Sequence, residues 1–211
     1  MISVYDAKPR FQAFLRPCLG PLVHAGLRPN HVTLAALVGS IAIGGLVAAG
    51  HGDPRMLLLL PPWLLLRMAL NAIDGMMARA WDLATPLGAV LNEVGDVLSD
   101  IALYLPLAAA GPGASVAVVC FVIAAVLTEF VGVAAAAAGA RRRYDGPMGK
   151  SDRALWVGAL ALISGLAPAT IRVWPWFFSA AAALCLLTVL LRGRRALADL
   201  ALERGTRTGS G

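Results

Sequence analysis

Long apolar runs separated by short polar breaks organise this chain. Six such segments stand out, at about 31–50, 56–80, 85–110, 114–140, 154–171 and 174–191. Each comes close to the ~20 residues that a helix needs to cross a bilayer. The breaks carry turn or charge signals: His51 to Pro54, Trp81-Asp82, Gly111 to Gly113, Arg141 to Arg153, and Arg172. The pattern predicts an all-α integral membrane protein with six transmembrane helices. The first 29 residues read differently. Phe11, Phe14, Leu15 and Leu19 recur at helical spacing beside Lys8, Arg10 and Arg16. That is the pattern of an amphipathic helix lying at the membrane surface, and Pro17 is expected to bend or end it. The expected organisation is therefore an amphipathic juxtamembrane segment over 1–29, a six-helix domain over 30–195, and a short, polar, frayed tail over 196–211.

Composition supports the membrane reading. Hydrophobic residues make up 59% of the chain and charged ones 14%, and the mean hydropathy is +0.75. An ordinary soluble enzyme does not carry apolar runs of this length. The net charge of +6 would suggest nucleic acid in a soluble protein. Here the positive-inside rule accounts for it, and no nucleic-acid partner is expected. With the N-terminus inside, every Lys and Arg except Arg55, Arg67 and Arg172 falls on the cytoplasmic side. The chain thus reads as a multi-pass protein of the inner (cytoplasmic) membrane with both termini in the cytoplasm. Trp174 and Trp176 fall at the outer interface and Trp81 at the inner one. No continuous apolar stretch opens the chain, so no cleavable leader is expected. Cys18, Cys120 and Cys185 lack metal spacing and read as small buried thiols. His24, His31 and His51 also lack ligand spacing.

The chemistry concentrates in one stretch, NAIDGMMARAWDLATPLGAVLNEVGD, from Asn71 to Asp96. Ionisable groups in a span usually face a cavity and mark a site. Asn71 and Asp74 are one helical turn apart at the end of the second span. Gly88, Asn92, Asp96 and Asp100 follow at intervals of four on the third, so each series shares a helix face. Two antiparallel helices joined by a short turn would set Asp74 opposite Asn92 and Asp96. Hard oxygen donors converging in this way suit Mg²⁺ or Mn²⁺. Gly75 and Gly88 remove side chains where phosphates would approach, and the Arg79 fork can hold phosphate. Arg67, one turn before Asn71, is a buried cation suited to pairing with an acid or a phosphate. Glu129 in the fourth span reads as a cavity partner or as polar glue between helices. The loop RRRYDGPMGKSDR, containing Arg143, Lys150 and Arg153, reads either as topology and lipid attraction or as a pocket for an anionic substrate.

The same stretch resembles the signature of the CDP-alcohol phosphatidyltransferase family, D-x2-D-G-x2-A-R-x8-G-x3-D-x3-D. Asp74, Gly75, Ala78, Arg79, Gly88 and Asp96 match it, and Asn71 and Asn92 replace the first and third aspartates. Leu27 to Thr33 resembles the family's P-N-x-x-T lead-in to the first span. Thr128-Glu129 resembles the acidic position of its fourth span, and Gly149 to Arg153 its basic stretch before the fifth. The resemblance implies a six-helix fold, a homodimer, and a cavity open to the cytoplasm. It further implies Asp74 and Asp96 as metal ligands and Asp96 as general base. Gly75, Ala78 and Arg79, with Asp74 and Gly88, would hold the CDP moiety.

The two asparagines bring amide oxygens without charge, so a reduced site with one well-held ion is expected. Asp100 and Glu93 are placed to compensate. Lys150, Arg153 and Arg143 are the candidates for binding the acceptor. The leading expectation is an enzyme that transfers a phosphatidyl group from CDP-diacylglycerol to a small, hydroxylated, possibly anionic acceptor. A rival enzyme would donate a CDP-activated head group to a lipid alcohol. A non-catalytic binder of CDP-lipid is a third reading, motivated by the two missing aspartates.

Overall fold

The computed structural model describes residues 4–111 and 113–208. Among these residues the chain is a set of helices joined by turns and loops, without strands. Helix α1, Val4–His24, runs through Pro9, Pro17 and Pro21 rather than ending at Pro17. Each proline removes a single backbone donor, while Leu15 and Leu19 on either side of Pro17 are buried against Val32, Ile73 and Met77. Packing on the protein therefore occupies part of the apolar side of this segment. Phe14 faces outward.

Helix α2, Pro29–Ala49, starts on a proline whose fixed φ suits a first helical turn. Its small residues allow close contact. A Cβ on Gly44 would clash with the Ala102 carbonyl oxygen, so α2 meets the helix that carries Ala102 backbone to backbone. A 3-10 turn, Pro54–Leu59, leads into α3, Leu60–Ala80. Thr85 then caps α4, Pro86–Tyr104, accepting from the Gly88 amide at 2.9 Å. The third apolar segment does not continue as one helix to residue 110. It breaks at Leu105-Pro106, where proline cannot extend the hydrogen-bond ladder, and resumes as the short α5, Leu107–Ala110.

Helix α6, Ser115–Ala137, is followed by a loop and by α7, Lys150–Leu166. This helix begins before the apolar run does, because the Gly149 amide donates to the Asp152 carboxylate at 3.0 Å and closes the first turn. Helix α8, Trp174–Thr208, continues well past Arg195. The expected frayed tail is helical to Thr208, with Ala196 buried and Asp199 bonded to Arg143.

Among the described residues, four stretches are long and apolar enough to cross a membrane: Pro29–Ala49, Pro54–Ala80, Ser115–Ala137 and Pro168–Leu202. Helix α4 carries Glu93, Asp96 and Asp100, and α7 is shorter and begins with charged residues. Both pack with one face on the bundle, α4 on α2 and α6, and α7 on α3, and keep an outward apolar face, with Val90 and Val94 on α4 and Trp156 and Ile163 on α7 exposed; α6 and α8 form the most extensive pair.

At the end of the bundle away from the α3–α4 turn, Tyr104, Phe121, Phe178 and Trp174 pack in a chain of rings. Trp174 is thus a core residue, 1% exposed, and its Nε1 donates to Ser164 Oγ at 2.9 Å. Trp176, expected at the same interface, is 80% exposed. The cysteines also depart from expectation. Only Cys185 is buried, while Cys18 and Cys120 lie on outward faces.

Candidate active site

The two polar helices are not a close-packed hairpin. Helix α2 lies against both α3 and α4, which scarcely touch each other. Side chains bridge the gap instead. Asp74, buried near the end of α3, accepts a hydrogen bond from Thr33 Oγ1 of α2 at 2.9 Å. One turn earlier on α2, Asn30 fills the space beside Gly88: a Cβ there would lie 2.7 Å from Asn30 Oδ1. The absent side chain of Gly88 thus admits another part of the protein. The lead-in segment Pro29 to Thr33 thereby fixes one acid and one glycine of the motif. These roles were not assigned from sequence; the three-residue spacing of Asn30 and Thr33 on one helix face is the signal that carries them.

The remaining acids belong to a continuous network. Arg67 reaches from α3 to α4, donating to Asp100 Oδ1 at 2.5 Å and to the Asp96 carbonyl oxygen at 3.0 Å. Arg153 of α7 takes the other Asp100 oxygen at 2.9 Å, Glu129 Oε1 at 2.9 Å and Thr128 Oγ1 at 2.8 Å. Both oxygens of Asp100 are therefore engaged by guanidinium groups, which leaves it a clamp between three helices. Asp96 is partly open and forms an ion pair with Lys150. Glu93 pairs with Arg142 at 2.5 Å, and Arg142 also approaches Glu129 at 3.7 Å.

Arg192 was read from sequence only as a topology signal. It is almost fully buried and donates to the backbone carbonyls of Thr128, Tyr144 and Asp145 at 2.6, 3.0 and 2.8 Å. It holds the α6–α7 loop, and with it Lys150, against the bundle. An arginine closing an apolar run gives no hint of carbonyl partners so distant in sequence.

The other expected residues fall in two places. Gly75, Ala78 and Arg79 lie on the last turns of α3, and Arg79 is exposed. A Cβ on Gly75 would come 3.4 Å from its guanidinium. Asn71 and Asn92 are half-buried, and the Asn71 amide nitrogen is buried without a partner. Lys150 and Arg153 meet at the acidic cluster. Arg143 does not join them; it turns to α8 and grips both oxygens of Asp199, at 2.8 and 2.6 Å. Arg141, Arg142, Arg143, Asp199 and Leu202 line a separate open cavity of about 400 Å³.

Residues 26–192 match the model of the CDP-alcohol phosphatidyltransferase family. The chain belongs to that family. The family match spans the acidic cluster, the α6–α7 loop and Arg192. The chain is also 42% identical over 196 residues to the inner membrane protein YnbA of Escherichia coli strain K12, covering 93% of this chain and 97% of that one. Its fold is similar to a crystal structure of Mycobacterium tuberculosis phosphatidylinositol phosphate synthase PgsA1 with CDP-DAG bound. There the TM-score is 0.73 and the identity 22%, over 86% of this chain and 92% of that one. A second PgsA1 structure, in complex with manganese and citrate, matches at TM-score 0.73 and 22% identity, over 87% and 88% of the two chains.

Proposed function

We propose that this family member transfers a phosphatidyl group from CDP-diacylglycerol to a small hydroxylated acceptor with release of CMP, in a multi-pass protein of six spans with its termini and acidic cluster on the cytoplasmic side. The observation that carries the reading is the pair Asp74 and Asp96. One is fixed by Thr33 and the other is partly open beside Lys150, with Arg67 at 3.6 Å, both within the family signature. The mycobacterial relative's CDP-DAG supports the donor, and the homodimer rests on the family resemblance.

The residues present fit one hard divalent ion, Mg²⁺ or Mn²⁺. Asp74 and Asp96 bring carboxylate oxygens, and Asn71 and Asn92 bring amide oxygens, the hard donor type that such an ion takes. When bound, the ion would neutralise charge on the pyrophosphate.

The chain's own groups do the rest. Arg79 offers a fork of donors to phosphate. Thr33 keeps Asp74 oriented. Asp96, with Lys150 moved aside, takes the proton of the acceptor hydroxyl. The hydroxyl oxygen forms a bond to the lipid-side phosphorus, the bond from that phosphorus to the bridging oxygen breaks, and CMP leaves with the electron pair. Arg67, Arg153 and Asp100 hold α3, α4 and α7 in register around this chemistry.

Purified protein given CDP-diacylglycerol and a panel of hydroxylated acceptors should release CMP only with Mg²⁺ or Mn²⁺ present. Asp74→Asn and Asp96→Asn should each lower turnover by about 10²–10⁴-fold while the protein remains folded. Full turnover in excess chelator, or in either variant, would remove the acidic pair from the reaction.

A further inference from the structure

The α6–α7 loop lies along one stripe of α8. Thr188, Arg192, Arg195 and Asp199 recur at intervals of four, three and four residues, so they share a helix face. The loop meets them in reverse order. The Met148 amide donates to Thr188 Oγ1 at 3.1 Å, the Asp145 and Tyr144 carbonyls accept from Arg192, the Asp145 carboxylate pairs with Arg195, and Arg143 holds Asp199. Ala196, on the same stripe, is buried, and a Cβ on Gly139, just past α6, would meet Leu200 at 3.8 Å. Arg195 and Asp199 lie past residue 192, where the family match ends.

The loop presents a cation at each end. Arg142, next to Arg143, reaches Glu93 at 2.5 Å, and Lys150, five residues after Asp145, pairs with Asp96. Glu93 and Asp96 are one turn apart on α4. Little slack separates these cations from the α8 stripe. Gly146 has φ +131° and a Cβ there would clash with Thr188. Pro147 has a fixed φ, and the Gly149 amide is bound to Asp152 at 3.0 Å. A shift at Arg143 or Asp145 is therefore passed along the loop.

We infer that Arg195 and Asp199 are positioning residues for the acceptor side of the reaction: they register the loop on α8 and so set how Lys150 rests on Asp96 and Arg142 on Glu93. The inference rests on the transfer reading and adds a control on that same site. Thr188 and Arg192 are buried and hold the middle of the loop. The two outer pairs are partly exposed, at 31% and 27% for Arg143 and Asp199, and at 51% and 33% for Arg195 and Asp145. Pairs this exposed contribute little to global stability. They are matched instead to a small difference, that between Lys150 seated on Asp96 and Lys150 moved aside. Gly75, Ala78 and Arg79, on the nucleotide side, stand on α3 and outside this stripe.

Two measurements test this. The first needs no turnover. Lys150 and Lys8 are the two lysines of the chain, so the acetylation rate of Lys150 by acetic anhydride can be read on its own peptide by mass spectrometry. Asp199→Asn and Arg195→Met should each speed it by about two- to fivefold, with the thermal midpoint near that of the wild type. Asp199→Glu should restore the wild-type rate, and Arg194→Met, at an exposed position beside the stripe, should leave it unchanged. Equal rates in the wild type, Asp199→Asn and Arg195→Met overturn the inference, as does a gain in Arg194→Met as large as in Asp199→Asn. The second is CMP release with CDP-diacylglycerol and Mn²⁺, using whichever of glycerol, inositol, glycerol 3-phosphate and inositol phosphate is turned over fastest. Asp199→Asn should raise the KM of that acceptor by about two- to fivefold and leave the KM of CDP-diacylglycerol in place; an equal change in both overturns the assignment to the acceptor side. Absence of CMP release with every acceptor would sink the transfer reading alone, and the acetylation rates would still decide whether α8 positions Lys150.

Discussion

The two ends of this bundle are held by opposite physics. At one end Tyr104, Phe121, Phe178 and Trp174 stack with ring centroids 5.4 to 5.6 Å apart, all almost fully buried. Such packing is favourable wherever area is covered and shape is matched. Toward the other end, beginning one turn from Tyr104, Arg67, Asp100, Arg153 and Glu129 are also buried but charged. Their desolvation offsets much of their attraction, so the pairs add little net stability, yet losing one partner is costly. Packing therefore sets how firmly the bundle holds, and pairing sets where the chemistry sits. The same helices serve both. Tyr104 follows Asp100 by one turn on α4, and Phe178 and Arg192 both lie on α8.

Three substitutions separate the ends. Arg153→Met should have the largest effect. It takes one of two guanidinium partners from Asp100 and the nearest one from Glu129, and should destabilise the protein by about 3–5 kcal/mol, read as a lower thermal midpoint in detergent, with activity lost as well. An unchanged midpoint would mean that the network is not structural. Phe178→Ala at the aromatic end should cost a comparable or smaller amount, about 3–5 kcal/mol by cavity formation. Turnover per folded molecule should stay near wild type, and a drop in kcat at a temperature where the variant is fully folded would break the proposed division of labour. Thr33→Val should have the smallest effect. It removes a hydrogen bond to a carboxylate, a contribution of about 1.5–3 kcal/mol, and should lower kcat with little change in acceptor KM. Thr33→Ser should restore kcat; failure to do so would take Thr33 out of the positioning of Asp74.

Much of the charged end was legible in the sequence because its information is local. Acids and glycines at intervals of four on one apolar helix identify a face without knowledge of any neighbour, and Arg67 could be read as needing an acid. What stayed hidden depends on partners far along the chain. The placement of α2 between α3 and α4 cannot be read from the short turn that joins those two. The pairing of Lys150 with Asp96 and the carbonyl partners of Arg192 depend on a loop with no periodicity. The aromatic end was less legible still. Trp174 at the edge of an apolar run has the pattern of an interfacial residue, and only its bond to Ser164 marks it as core. The cysteines show the same limit: hydropathy locates a residue along a helix, not around it.

The Arg67–Asp100–Arg153 clamp also bears on how the chain is made. An arginine at the centre of an inserting helix carries an apparent cost of about 2.5–3.5 kcal/mol, so α3 has reason to wait for α4, which brings Asp100. Arg153 emerges 53 residues after Asp100, an interval of about 3–10 s at ordinary synthesis rates of ~5–20 residues per second. During that interval Glu129 has already been made and its guanidinium partner on α7 has not. The half-synthesised chain is therefore at its most vulnerable between α6 and α7, and that is the stage at which an insertase or a quality-control protease would find it.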